Sequence, residues 1–143
     1  MSLTAERYLW DSNENDKQIG ENIGQLVGLP TGGKAKTITV EAGCWRKANH
    51  IHNWFVQNVQ GGEDNCRDAY VSRDQLTELR EICQKVLDNN ELAQQLLPTA
   101  SGFFFGGTEY DQWYFNDLEE TIKIIDDALK MPAQWDFNYC SSW

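Results

Sequence analysis

Hydrophobic spacing in the middle of the chain predicts two consecutive helices. From Trp45 to Val59 the apolar side chains recur every three to four residues, the period that gives a helix one buried face. This stripe contains Trp45, Ala48, Ile51, His52, Phe55, Val56 and Val59, and the glycine pair 61–62 ends it. The second helix begins after Ser72, which has capping-box spacing to Gln75. Its predicted buried face is Leu76, Leu79, Ile82, Cys83, Val86 and Leu87.

Two more helices are predicted in the C-terminal half. A short one covers Glu91–Leu97 and is closed by Pro98. A long one is capped by Thr108, with Asp111 in the capping-box position, and ends near Lys130. Its apolar stripe is Tyr110, Tyr114, Leu118, Ile122, Ile125 and Leu129. The glycine-bracketed run S-G-F-F-F-G-G at 101–107 is typical of a short strand or a tight loop.

The two ends of the chain have weaker patterns. Short strands are predicted at Arg7–Trp10 and Lys36–Val40 from their β-branched and aromatic residues. Five glycines and a proline in Gly20–Gly33 favour a loop, with at most a short helix at Ile23–Val27. The tail from Ala133 has no clear period.

These elements predict a mainly helical α+β fold, with three to four helices and a small N-terminal β element. We expect one domain over residues 1–143, since no linker or repeat divides it. Its parts are a β- and loop-rich segment (1–40), a helical core (41–131) and a tail (132–143).

Composition limits the classes of partner. A net charge of −10 repels a phosphate backbone, which argues against direct nucleic-acid binding. No apolar run approaches the roughly 20 residues that span a bilayer, so we expect no membrane partner. Glu6 and Arg7 stand where a signal peptide would be apolar, which predicts a cytoplasmic protein. The four cysteines form no C-x-x-C pair, and we expect neither a metal nor a cofactor.

One helix face carries candidate ligand-binding residues. Arg46, Lys47 and His50 lie opposite the first apolar stripe, and Trp54 lies among them. This grouping indicates either an aromatic and cationic binding surface or a tryptophan that packs under a loop. His52 falls inside the stripe and is predicted to be a core histidine.

Aromatic residues further along the chain provide a candidate second wall. Of the three consecutive phenylalanines at least two should be buried, because each burial is worth about 1.5–3 kcal/mol. Phe104 or the neighbouring Tyr110 remains as a platform on which a planar ligand could stack. Trp113 points away from its helix stripe, and either contacts a partner or is covered by the tail.

Catalytic motifs are missing from the sequence. There is no G-x-S-x-G elbow, H-E-x-x-H or P-loop, and no catalytic residue is assigned. Cys66 stands near Glu63 and Asp64, but this spacing is generic. The sequence therefore favours a binding protein over an enzyme.

Two segments carry a family resemblance. They are W-R-K-A-N-H-I-H-N-W-F-V at 45–56 and S-G-F-F-F-G at 101–106. Over about residues 41–129 the chain resembles a family of small proteins encoded by tailed bacteriophages and prophages. Members usually have Tyr and Ser where this chain has Cys44 and Gly107. The resemblance implies a phage origin, without a particular chemistry.

Three functions follow as hypotheses. The first is a phage accessory, non-structural protein that sequesters a small host nucleotide and so counters host defence. The second is an acidic inhibitor of a host protein, because residues 111–143 contain seven acidic and two basic residues. The third is a small hydrolase using Asp or His chemistry. Assembly into a homo-oligomer is open under all three.

Overall fold

The computed structural model describes residues 1–101 and 107–142. Within them the chain forms five α-helices and one antiparallel four-stranded sheet, so the fold is α+β with more helices than the three to four expected. The strands are β1 (Ser2–Tyr8), β2 (Thr37–Cys44), β3 (Ala69–Val71) and β4 (Asp136–Cys140), in the order β2-β1-β4-β3. The helices are α1 (Glu14–Leu26), α2 (Asn49–Asn58), α3 (Arg73–Asp88), α4 (Ala93–Leu96) and α5 (Gln112–Leu129).

The sheet joins the two ends of the chain. Strand β1 pairs with both β2 and β4, so the N-terminal residues occupy the sheet centre. Leu3 lies opposite Tyr139 and Ala5 opposite Phe137, and all four side chains are buried on one face. The strand predicted at Lys36–Val40 is confirmed as β2, whereas the one predicted at Arg7–Trp10 is misplaced because β1 ends at Tyr8.

The loop predicted over Gly20–Gly33 is wrong in its first part, because helix α1 continues to Leu26. Asn13 caps it by accepting from the Asp16 amide. Its glycines serve close packing: a Cβ on Gly20 would lie 2.7 Å from the Ala35 carbonyl oxygen, and one on Gly24 would lie 2.5 Å from that of Gly33. These residues allow the helix to approach the returning chain rather than ending the helix.

The first predicted helix begins later than expected. Helix α2 starts at Asn49, and Trp45 belongs to the connection that follows β2. The Trp45 ring is buried, and its Nε1 donates to the Thr121 hydroxyl on α5 at 2.8 Å. A buried anchor between sheet and helix explains why this residue has the apolar spacing of α2 without being helical.

The later helices agree better with the sequence. The capping box of α3 is confirmed, because Ser72 and Gln75 exchange both side-chain to backbone hydrogen bonds. The short helix is a 3₁₀ turn at Asn90–Leu92 followed by α4. Asp111, not Thr108, caps α5 by accepting from the Tyr114 amide at 3.1 Å.

The C-terminal tail forms the inner strand β4, which pairs with β1 and β3. The Tyr139 ring stacks on Phe55 of α2, with centroids 3.9 Å apart. Its hydroxyl lies 2.7 Å from Nδ1 of His52, whose Nε2 lies 3.0 Å from Oδ2 of Asp64. His52 is thus confirmed as a core histidine, and it ties the loop after α2 to the sheet.

Helices α2, α3 and α5 supply the other side of the core. Among the described residues, no helix combines the length and apolar character that crossing a bilayer requires.

Candidate ligand-binding site

A cavity of about 320 Å³ opens between the start of α2 and the start of α5. We call it the α2–α5 cavity. Its described lining includes four residues predicted from the sequence: Arg46, Lys47, His50 and Trp113. The sequence did not identify the others: Asn49, Gly107, Glu109, Asp111, Tyr114 and Asp117.

The turn between β2 and α2 places two cations at the rim. Trp45 and Ala48 are buried and fix the turn, while Arg46 and Lys47 between them are exposed. Lys47 has a φ of 60°, a left-handed conformation that costs a residue with a Cβ about 1 kcal/mol or more. Such strain is often retained where a side chain or backbone must be held for function.

A buried asparagine ties the start of α2 to the segment after α4. Asn49 Nδ2 donates to the Ala100 carbonyl at 2.8 Å, and its Oδ1 accepts from the Ala100 amide at 2.7 Å. The Tyr114 hydroxyl donates to the Leu97 carbonyl at 2.8 Å. These bonds hold the segment after α4 against the starts of α2 and α5, so the cavity walls are fixed by both helices.

His50 forms the floor of the cavity and has an unusual hydrogen-bonding state. Only 3% of the residue is exposed, and its ring packs on Tyr114 with centroids 4.0 Å apart. Among the described residues its Nε2 has no hydrogen-bond partner, and the Asp117 carboxylate oxygen is 3.8 Å away. A buried polar atom left unpaired costs about 1–3 kcal/mol. Because Nε2 has almost no accessible surface, a ligand group bonds to it only after a small movement of the cavity lining.

Burial determines the charge of His50. It lowers the pKa of the imidazole to about 3, against the opposing influence of the Tyr114 backbone and the Asp111 charge. The ring is therefore neutral at neutral pH, and its Nε2 either accepts or donates one hydrogen bond according to its tautomer.

Asp117 is perturbed in the opposite sense. Burial, with the nearby charges of Glu120 and Asp111, raises the pKa of its carboxyl to about 6. At neutral pH the group is mainly ionised and accepts hydrogen bonds at the edge of the cavity.

The remaining charges leave the rim open to a polar ligand. Neither Arg46 nor Lys47 forms an ion pair with any described residue. The Asp111 side chain is engaged as the cap of α5. Trp113 is 76% exposed and presents an open indole beside these charges.

Trp54 does not join this group. It is 6% exposed and packs edge to face on Phe55, with centroids 5.3 Å apart. Seven of the ten residues of α2 are buried, because the helix contacts other elements on two sides. The hypothesis that the indole emerges on a polar flank is wrong, and the alternative that it packs inside is confirmed.

Two predicted wall residues have different outcomes. Tyr110 is partly buried next to Tyr114, with centroids 5.0 Å apart, and its hydroxyl accepts from the Thr99 amide. Tyr110 is not among the described residues that line the cavity, although it contacts Tyr114, which is. Phe104 lies outside the described residues.

In the described part of the chain, no group of three or more His, Cys, Asp or Glu side chains could hold a metal ion. Comparison with models of known protein families, with curated proteins and with solved structures found no match.

Proposed function

We propose that this chain is a phage accessory binding protein that holds a small nucleotide-type host ligand in the α2–α5 cavity. The observation that carries the proposal is the unpartnered Nε2 of buried His50 on the cavity floor. A buried polar atom without a hydrogen-bond partner destabilises the folded protein, and a polar group of a ligand removes that cost by bonding to it.

Three side chains that line the cavity suit a ligand that has both a planar ring and an anionic group. Arg46 and Lys47 provide positive charge on one side of the cavity, and the Trp113 indole provides an open π-face on another. A nucleotide combines the phosphate and the ring system that these groups recognise.

Biological context comes from the family resemblance. A small phage protein in the host cytoplasm that captures a nucleotide needs no turnover, because sequestration alone lowers the free ligand concentration. We propose that this sequestration counters host defence.

The direct test is isothermal titration calorimetry with a panel of mono-, di- and cyclic nucleotides, with each nucleotide assayed afterwards for breakdown. We expect saturable binding to at least one member and its recovery intact. A flat response across the panel would remove the proposal, and consumption of a bound nucleotide would favour the hydrolase instead.

Two tryptophan variants, one at the cavity and one away from it, test where the ligand binds. Trp113→Ala should weaken binding by about 1–3 kcal/mol, the contribution of one stacking contact. Trp10→Ala is the control, because that ring is also exposed, at 61%, and is not among the described residues that line the cavity. Equal losses in both variants would place the ligand elsewhere.

An acidic protein inhibitor is the second candidate. It is favoured by the exposed face of α5, where Asn116, Glu119 and Glu120 accompany Trp113. This alternative predicts a salt-sensitive complex with a host protein that Glu119→Gln and Glu120→Gln together weaken, while nucleotides bind neither variant nor wild type.

A further inference from the structure

We infer that the ligand is a nucleoside monophosphate, with its phosphate at the start of α2 and its base edge against His50 and Asp117. This inference rests on the proposed function and assigns the ligand class and its orientation.

The size of the cavity favours a single base and a single phosphate. Its volume of about 320 Å³ stands at the lower end of the roughly 300–1,000 Å³ range of small-molecule sites. A dinucleotide would extend well beyond the walls formed by α2 and α5.

The charges at the phosphate end also match one phosphate. Arg46 and Lys47 form no ion pair among the described residues and match the charge of one phosphate dianion. The carboxylates of Glu109, Asp111 and Asp117 make the rest of the lining acidic. Further phosphates would meet the acidic side chains of Glu109 and Asp111, which also line the cavity.

The start of α2 adds a second source of anion affinity. Ala48 precedes the helix, so no side chain caps the amides of its first turn. Such amides and the helix dipole bind phosphate oxygens well. The unpartnered, buried Nε2 of His50 in the same turn indicates that a polar part of the ligand lies beside these amides.

The base end is defined by two polar atoms that cannot satisfy each other. Nε2 of His50 and Oδ2 of Asp117 are 3.8 Å apart, beyond hydrogen-bonding distance. The carboxylate accepts from an exocyclic amino group, while the neutral imidazole bonds to the adjacent ring position of the same base edge. A base that lacks the amino group would leave Asp117 without a donor.

Calorimetry at neutral pH tests the phosphate count with adenosine and guanosine, each as nucleoside, monophosphate and triphosphate, together with a cyclic dinucleotide. We expect a monophosphate to bind at least about tenfold more tightly than its nucleoside and its triphosphate. Tighter binding of the triphosphate or the dinucleotide would overturn the inference and leave the proposed function standing. No binding by any of them would defeat both.

The same titration tests the base edge. Adenosine monophosphate is compared with purine riboside monophosphate, and guanosine monophosphate with inosine monophosphate, because each pair differs by one amino group. The amino form should bind about tenfold more tightly to wild type, and Asp117→Ala, which has no acceptor atom, should abolish that preference. Glu119→Ala, on the exposed face of α5, is the matched control and should keep it.

Lys47→Gln tests the phosphate contact separately from the base contact. It keeps a side chain with a Cβ at the strained backbone position. It should reduce the preference for monophosphate over nucleoside without changing the amino-group preference. If Asp117→Ala keeps the amino-group preference, or if Lys47→Gln keeps the phosphate preference, the orientation is wrong. Circular dichroism checks that each variant is folded, so that lost binding is not mistaken for unfolding.

Discussion

Nε2 of His50 faces the carboxylate of Asp117 across 3.8 Å, and neither side chain hydrogen-bonds the other. The two residues come from different helices and meet where the start of α2 approaches the N-terminal part of α5. Their pKa values are moved in opposite directions, to about 3 for the imidazole and about 6 for the carboxyl. The pair is therefore neutral imidazole and carboxylate at neutral pH, and both titrations are measurable.

Acid should destabilise the protein through His50. The folded-state pKa lies near 3, whereas an unfolded histidine titrates near 6.5. As the pH falls below about 6.5, the unfolded chain takes up the proton first, so the stability contributed by neutral His50 is progressively lost. Urea unfolding should show His50→Gln losing about 2 kcal/mol less stability than wild type between neutral pH and about pH 5. Parallel losses in the two proteins would contradict a buried neutral imidazole.

Asp117 should make ligand affinity depend on pH. Because the pKa of its carboxyl is raised to about 6, the group is ionised above that value and protonated below it. A protonated carboxyl no longer accepts from an amino group through both oxygens, so nucleotide affinity should fall as the pH drops through 6. Calorimetric titrations across this range should show the fall in wild type and a flatter profile in Asp117→Asn.

The Asp117 carboxyl changes the pH dependence of stability in the opposite direction from His50. Its folded pKa lies above its unfolded value, so the folded state binds more protons between about pH 6 and pH 4. Asp117 alone therefore favours the folded state as the pH falls through this window. As the pH falls through that window, the free energy of unfolding should drop more in Asp117→Asn than in wild type. An equal pH dependence in the two proteins would show that the pKa of Asp117 is not raised.

Gly24→Ala tests the packing of α1. Helix propensity alone predicts a gain of about 0.5–1 kcal/mol. The new Cβ would instead lie 2.5 Å from the Gly33 carbonyl oxygen, a backbone atom with little freedom to move. We expect a net loss of about 1–3 kcal/mol in the free energy of urea unfolding. Gln25→Ala, at an exposed position on the same helix, is the control and should change stability by less than about 0.5 kcal/mol; stabilisation by Gly24→Ala would refute the close approach.

Asp64→Ala tests the link between the loop after α2 and the sheet. The substitution removes the carboxylate 3.0 Å from Nε2 of buried His52 and the acceptor of the Ser141 hydroxyl. Loss of a partner for buried polar groups should cost about 1–3 kcal/mol, measured by chemical denaturation. The neighbouring Glu63→Ala, at an exposed position, should cost little, and equal effects of both substitutions would argue against the His52 contact.

The sequence predicted best those features that depend on neighbouring residues. The capping box of Ser72 and Gln75 is local, and its geometry follows from a spacing of three residues. The strand β2 was recognisable from its β-branched residues. By contrast, α1 was missed because Gly20 and Gly24 look like loop residues until the returning chain beside them is known. Strand β4 has only two alternating buried aromatics, Phe137 and Tyr139, too few to establish a period.

About half of the site could be predicted from the sequence, for a similar reason. Arg46, Lys47 and His50 could be grouped because they are close in sequence, and the structure places all three on one cavity. Asp117 is far from them in sequence, and only the packing of α5 against α2 brings it to His50. Trp54 was misplaced because periodicity describes one buried face, whereas α2 has buried residues on two.

The most direct measurement follows the imidazole of His50 itself by NMR, using ¹⁵N-labelled protein titrated with a nucleoside monophosphate. If the nucleotide bonds to the atom that is now unpartnered, the Nε2 resonance of His50 shifts with the same saturation curve as calorimetric binding, while His52 stays unchanged. Saturable binding that leaves the His50 resonances in place would contradict the account, because the ligand would then occupy another site.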